Sequence, residues 1–429
     1  MKILTLSAYY PPFSYGGYEN RVRDVMDGLA ARGHQVNVLT TQPDKTMQTE
    51  EIEFPYPVIR RLHGTRKMLG WAERLTSKES TNRLGVVLIF LRQIWRDIHD
   101  LRLIDHTIQG FKPDLIYLGH ILPLTSSLLP FLSRISHPLV VDDGGKTLLL
   151  SFENHGLWYR FQSEFHPTSI ALQVVKKAFS SLVSILSSDR LTRDWVWPDS
   201  INVFFNSQLN YRNFLSESVP INCSKVIHSG LDLQQFSFER KKDPLQPLSI
   251  IVPGRIEPSK GQLDAVKLST LLRQGGVQHH LTIVGDRWRG DYASQLEEQV
   301  RQFDLDNYVS FFPKKGKWDL IELYHQSDIC FFPSLHQTGF SRIPLEAMAC
   351  GCVLLSYGNE GSDEIIMNGV NGFLFSPGAI EQVKETVMAL ENNKNLLSQV
   401  AYSARKTVEE HHSIPVYLDQ IEAFLNGKN

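Results

Sequence analysis

The chain has 429 residues, of which 42% are hydrophobic and 21% charged. At roughly 100–200 residues per domain this is too long for one core, and the composition excludes a disordered or fibrous protein. Forty-four Lys plus Arg against 46 Asp plus Glu leave a net charge of −2, so the whole chain is no nucleic-acid polycation, and four cysteines are too few for a disulfide framework.

Ile3–Ser7 reads as a first strand rather than part of a signal peptide, because the apolar run is short and leads straight into polar residues. Val22, Val25, Met26, Leu29 and Ala30 follow at helical spacing, with Gly33 as C-cap. Val36–Thr40 is the next strand, Asp44–Arg83 shows no clear strand, and Leu115–Leu118, Leu139–Val141 and Val203–Phe205 resume the series. A polar, proline-bearing linker at Gln234–Pro247 precedes a second series: Ser249–Val252, Leu281–Val284, Val309–Phe312, Ile329–Phe332 and Val353–Ser356. Strand, helix, strand with short connections predicts a parallel sheet covered on both faces. Two such series predict an α/β protein of two Rossmann-like, doubly wound domains, at about residues 1–240 and 241–406. The amphipathic helix Ile414–Leu425, within 407–429, is expected to cross back to the first.

The longest uninterrupted apolar stretch, Val86–Leu91, is far short of the roughly 18 residues that span a bilayer, so a cytoplasmic, reducing setting is expected. Val58–Lys112 carries 11 basic against 5 acidic residues, an excess of +6. With Val86–Leu91 beside Arg92, Trp95 and Arg96, this suggests either peripheral contact with anionic lipid at the inner membrane face or a buried helix with a solvated basic face. Trp195 and Trp197 with Arg190 and Arg193 leave the same alternatives.

In open parallel sheets ligands gather at the carboxyl ends of strands, so the loops there carry the candidates. After the first strand, Gly16 and Gly17 precede a helix, either as a plain tight turn or to let backbone approach an anion. After Ser249–Val252, Arg255 and Lys260 straddle Pro258 before a helix; they are solvated cations or a clamp on a diphosphate. Glu346 lies among small and apolar residues at a helix start, where a carboxylate needs an Arg or a sugar's hydroxyls. Cys350-Gly351-Cys352 lacks a second pair for zinc, and Asp304-Leu305-Asp306 precedes a strand on the side away from these loops, so no metal site is expected. The pairs His279-His280 and His411-His412 read as solvated residues beside helix ends.

These loops, in this order, resemble the retaining glycosyltransferases of family 4 (glycosyl transferases group 1), which have the GT-B fold. The matching stretches are MKILTLSAYYPPFSYGGYE with Arg32-Gly33-His34, Val226 to Asp232, Gly254 to Gly261, Ile283 to Asp286, Phe340 to Gly351 with Gly361 and Glu364, and Asn371-Gly372. The resemblance is weakest at 44–110 and 145–200. It implies two domains facing across a cleft and transfer of a sugar from a UDP- or GDP-sugar donor to a glycan, glycolipid or small-molecule acceptor, with retention and without metal or other cofactor. It also implies no nucleic-acid partner. Gly16 and Gly17 would face the donor diphosphate, and Arg255 and Lys260 would neutralise it. Glu346 would take the ribose hydroxyls, backbone N–H groups of Phe340, Ser341, Arg342 and Ile343 would cradle the distal phosphate, and the base would lie near Phe312–Lys315.

Two positions depart from the family. Thr338 stands where a Glu normally contacts the transferred sugar, and Asp142-Asp143-Gly144-Gly145-Lys146 stands where a His is often found. Asp142 or Asp143 orients the acceptor or the donor sugar, or else caps a helix or stabilises a loop. Thr338 leaves open a non-catalytic nucleotide-sugar binder and a GT-B epimerase as alternatives to the transferase.

Overall fold

The computed structural model describes residues 1–13, 17–43, 52–64, 83–125, 127–145, 147–153, 157–191, 194–239, 247–287, 290–337 and 339–427, with the side chains of 83–87 excepted. Gly16, Thr338, Lys146, Arg193 and half of the expected linker lie outside these residues. The chain forms two compact units, Met1–Asn206 with Asn210–Val226 and Ile421–Asn429, and Ser207–Leu209 with Ile227–Gln420.

The first unit holds a seven-stranded sheet ordered β3-β2-β1-β4-β5-β6-β7. Its strands are β1 Lys2–Ser7, β2 Gln35–Thr41, β3 Val58–Leu62, β4 Leu115–Leu118, β5 Leu139–Asp143, β6 Ile201–Phe205 and β7 Cys223–Val226, and all pairings are parallel. Central strands are covered on both faces: every residue of β4 is buried, which is why it appears in the sequence as an unbroken apolar run. The helix Gly17–Ala31 packs Val22, Val25, Met26 and Leu29 inward, and Gly33 follows at φ +87°.

Asp44–Arg83 does contain a strand, β3, contrary to expectation. It is an edge strand with Arg60 and Arg61 in a five-residue span, and charge on an edge blunts further pairing while hiding the strand's apolar signature. The half-covered β7 occupies the opposite edge.

The second unit holds a six-stranded parallel sheet ordered β10-β9-β8-β11-β12-β13. Its strands are β8 Leu248–Pro253, β9 His279–Val284, β10 Val309–Phe312, β11 Ile329–Phe332, β12 Val353–Ser356 and β13 Phe373–Leu374. Ile250, Leu281, Ile283, Phe331 and Leu355 join the buried faces of the helices Gln262–Gln274 and Ile380–Asn392 on one side. Ile251, Cys330, Phe332, Leu345 and Met348 pack on the other.

The change of unit falls at Val226/Ile227 rather than near Arg240. Leu231 and Phe236 already belong to the second unit's core, and the Leu231 N–H donates to the His412 carbonyl at 2.7 Å. Residue 406 lies inside the continuous helix Lys394–His411, and the return to the first unit comes at Ile421, within the helix Ile414–Leu425. There Glu422 meets Arg32 and His34, and Phe424 packs on Phe204 with ring centroids 5.8 Å apart.

One other expectation is corrected, and one helix stands beside the reading of apolar runs. His279 and His280 open β9 instead of flanking a helix, with His279 buried and 2.7 Å from the Ser269 hydroxyl; His412 is also buried, and burial depresses its imidazole to about 3. The helix Ile170–Ser187 is long and apolar enough to cross a membrane, with a mean hydropathy of 1.4. Polar residues at Gln173, Lys176 and Lys177 interrupt it, so a search for unbroken runs passes over it.

Candidate active site

Strand order locates the candidate sites. In the second unit the chain winds from β8 out to β10 and then reverses through β11 to β13, so the switch point lies between the neighbours β8 and β11. In open parallel sheets ligands bind at that point, at the carboxyl ends of the strands. The loops that flank it are Gly254–Gly261 and Pro333–Arg342, and the Leu335 N–H donates to the Ser259 carbonyl at 2.8 Å to tie them together. Gly261 has φ +69°, and a β-carbon there would run into the Pro333 carbonyl. Gly285 likewise has no room for a β-carbon against the Gly254 carbonyl. Small residues thus let three loops approach at backbone distance.

Arg255 is half exposed, with Nη2 3.3 Å from Glu257 Oε1. Lys260 closes the short turn Pro258–Lys260 and forms a nearly buried ion pair with Glu360. Glu360 sits at φ +52°, an uncommon conformation for a residue with a side chain. Its carbonyl accepts the Ser341 N–H at 3.0 Å. Of the expected cradle, then, the Ser341 N–H is already bonded, and the Ile343 N–H makes a long 3.4 Å contact with the Ser341 hydroxyl. Arg342 is the N-cap residue of the helix Ile343–Cys350. Phe340 stacks on His228 with centroids 5.0 Å apart.

Glu346 lies in the first turn of that helix. Tyr324 donates to its Oε2 at 3.2 Å, and Arg342 Nε is 4.0 Å from its Oε1. Burial raises the Glu346 carboxyl above its ordinary range, with Arg342 and Tyr324 acting in the opposite direction. Of the two partners considered for this carboxylate the Arg is close, and a phenol that the sequence did not announce holds the second oxygen. Phe312 ends β10 at the same edge of the sheet, with Lys315 Nζ 5.2 Å from its ring centre.

The first unit has its switch point between β1 and β4. The Ala8 N–H donates to the His120 carbonyl at 2.8 Å across it. His120 Nδ1 lies 3.3 Å from Glu19, and its ring packs against Tyr9 and Tyr18. Gly17 begins the helix that carries Tyr18, Glu19 and Arg21. Asp142, at the end of β5, is fully buried in an ion pair with Arg21. It also accepts from the Tyr117 hydroxyl at 2.9 Å, while Tyr18 donates to its carbonyl. A β-carbon on Gly144 would lie 2.7 Å from Arg21 Nη2, so glycine leaves room for the guanidinium. Asp143 accepts the Gly145, Thr147 and Leu148 N–H groups at 3.0–3.2 Å, holding the start of the helix Thr147–Glu153. Burial pushes its carboxyl up to about 6 against those bonds. The structure thus places Asp142 in a buried ion pair and Asp143 in a helix cap.

Sequence reasoning missed Glu360, Tyr324, Arg21 and His120. His120 had a signal, since it stands two residues after the apolar strand β4. Tyr324 and Arg21 are brought to their carboxylates by packing between elements distant in sequence. Among the described residues one group, His63, His99 and Asp100, has spacing compatible with a cation. Its Asp100 carboxylate already accepts the His63 and Gly64 N–H groups at 3.0–3.1 Å.

Residues 234–407 match the family model for glycosyl transferases group 1. A glycogen synthase of Mycobacterium tuberculosis is 23% identical over 417 residues, covering 95% of this chain and 90% of that one. Among solved structures, sucrose-phosphate synthase from Thermosynechococcus elongatus superposes with a TM-score of 0.69 at 16% identity, over 99% of this chain and 98% of that one. HepE of Anabaena, solved in complex with UDP-glucose, gives a TM-score of 0.64 at 19% identity over the whole of both chains. The chain accordingly has the GT-B fold, and the greater part of its second unit matches the glycosyl transferases group 1 model.

Proposed function

We propose that the protein transfers a sugar from a nucleotide-sugar donor to an acceptor hydroxyl with retention of configuration, in the synthesis of a bacterial glycan or glycolipid. The observation that carries the reading is the set of loops at the β8/β11 switch point, where Arg255, Lys260, Glu346 and the start of the helix Ile343–Cys350 all lie. Those are the groups a nucleoside diphosphate needs: cations and a helix N-terminus for the phosphates, and a carboxylate for the ribose hydroxyls. The likeness to HepE, which was solved with UDP-glucose, supports a UDP-sugar as the first donor to try.

In this reading Arg255 and Lys260 offset the charge that grows on the departing diphosphate, the role a metal ion fills in other sites, so transfer needs no metal or other cofactor. The bond from the anomeric carbon to the diphosphate oxygen breaks and a bond to the acceptor oxygen forms on the same face. The hydroxyl proton passes to the diphosphate. Arg21 and Asp142 act as positioning residues for the loop after β5. The reaction would take place in the cytoplasm, at the inner face of the membrane when the acceptor is a lipid.

Incubation with a panel of UDP- and GDP-sugars, with and without an extract containing acceptors, tests the reading. Acceptor-dependent release of free nucleotide is expected. Conversion of the sugar without acceptor would instead identify an epimerase, and binding without turnover a nucleotide-sugar binder.

A further inference from the structure

The helix Ile170–Ser187 turns its apolar side outward. Ser180, Val183 and Ser187 are its buried residues. Ile170, Val174, Val175, Leu182, Ile185 and Leu186 fall on the opposite side at 3.6 residues per turn, and all six are exposed, Ile170 by 79% and Ile185 by 75%. A helix covering a core shows the reverse arrangement. Only 17% of this one is buried, and it lies mid-chain, so neither a core helix nor a signal sequence accounts for it. The neighbouring helix Arg83–Phe111, joined to it by Arg102 donating to the Leu186 carbonyl, exposes Leu88, Leu91 and Trp95 as well. Six large apolar side chains on one side of a single helix go beyond the scattered single side chains of ordinary protein exteriors.

Charge points to what covers it. From His166 to Ser188 there is no acidic residue, and Lys176 and Lys177 sit at the middle of the helix. A pocket of about 380 Å³ beside this helix is lined by Gln162, His166, Lys176, Lys177, Ser180 and Ser181. Lys176 donates to the Gln162 and Phe165 carbonyls at 2.8 and 2.6 Å, which leaves the exposed Lys177, with the Ser181 hydroxyl, at the margin of the aliphatic face, where a phosphate headgroup above acyl chains would sit. Spanning the bilayer is the poorer alternative, since it would put both lysines near the centre of the hydrocarbon, where charge is most costly.

We propose that this face of the first unit docks on an anionic phospholipid bilayer, the helix Ile170–Ser187 lying in the plane of the interface with a lipid phosphate against Lys177. The surface is distinct from the loops assigned to the donor and stands whether or not the proposed transfer is correct.

The test is co-sedimentation of the full chain with vesicles of phosphatidylcholine alone or mixed with phosphatidylglycerol, at low and high salt. Wild type should pellet with the mixed vesicles at low salt and be partly released at high salt. The Ile170→Ser/Val174→Ser/Ile185→Ser variant changes only exposed positions and should partition about tenfold or more weakly, with an unchanged circular dichroism spectrum. Lys177→Ala should lose preference for the anionic lipid while keeping part of the apolar binding. The proposal is overturned if wild type stays in the supernatant, if the triple variant binds as well as wild type, or if light scattering shows a dimer that the triple substitution dissolves.

Discussion

The ammonium of Lys260 is held by the carboxylate of Glu360, with their side chains 14% and 6% exposed. Lys260 is also the cation assigned to the donor diphosphate. A phosphate must therefore take Lys260 from a carboxylate that stays close by, and that carboxylate repels it. Glu360→Gln removes the competitor at constant size, and titration calorimetry should show UDP binding tighter by about tenfold. Unchanged or weaker binding would mean that Glu360 leaves the phosphate path when the ligand arrives.

Stability separates the two cations. Removing one partner of a buried pair strands the other charge, so Lys260→Ala should cost about 3–5 kcal/mol. Arg255, half exposed, should cost little when replaced by Ala. Both substitutions should weaken UDP binding by about 10- to 100-fold, the worth of charge-assisted hydrogen bonds. The double variant Lys260→Ala/Glu360→Gln should regain stability in urea unfolding without regaining affinity. Restored affinity would show that Lys260 only shields Glu360.

Glu346 carries a pH prediction. Its folded carboxyl lies above the ordinary value, so the stability linked to it is present at acid pH and lost as pH rises through that folded value. Glu346→Gln resembles the protonated form. At neutral pH it should be at least as stable as wild type while binding nucleotide more weakly. A variant that unfolds would mark the contact with Arg342 as structural instead.

Asp97 extends the same sign. Burial lifts its carboxyl to about 7, against hydrogen bonds from Thr125 and Gln93, and Asp143 is lifted to about 6. Both hold protons that the unfolded chain has released, so thermal stability should fall from about pH 5 to pH 8, and Asp97→Asn should flatten part of that slope. A melting temperature that rises across this range would contradict the assignment.

The central strands and the close approach of the loops at the β8/β11 switch point were legible in the sequence because both leave local signatures. A strand buried on both faces is an apolar run, and loops that touch backbone to backbone need glycines such as Gly261 and Gly285. The edge strands β3 and β7 were not legible, since a strand covered on fewer sides carries polar residues, and β13 is only the two residues Phe373–Leu374, too short to leave a pattern. Nor was Glu360, whose role comes from a partner 100 positions away in the chain. The outward apolar face of Ile170–Ser187 was hidden for a different reason: periodicity shows that a helix is amphipathic but not which side packs.

Thr338 stands where the family has a carboxylate against the transferred sugar. A hydroxyl forms a neutral hydrogen bond and cannot stabilise a developing positive centre by charge, a term worth about 2.7–4 kcal/mol elsewhere. The constellation of Arg255, Lys260 and Glu346 is retained, and a bare scaffold would have no use for it. Wild type should therefore transfer a sugar, and Thr338→Glu should change which donor is preferred in competition assays. A wild type inert towards every donor and rescued by Thr338→Glu on UDP-glucose would show a decayed site.

The most direct test of the nucleotide-sugar reading is calorimetric titration of UDP and GDP into wild type and the Arg255→Ala and Lys260→Ala variants. The account predicts saturable binding of one nucleotide to wild type, weakened in both variants with the fold of Arg255→Ala intact. No binding by wild type, or affinity unchanged in both variants, would contradict it.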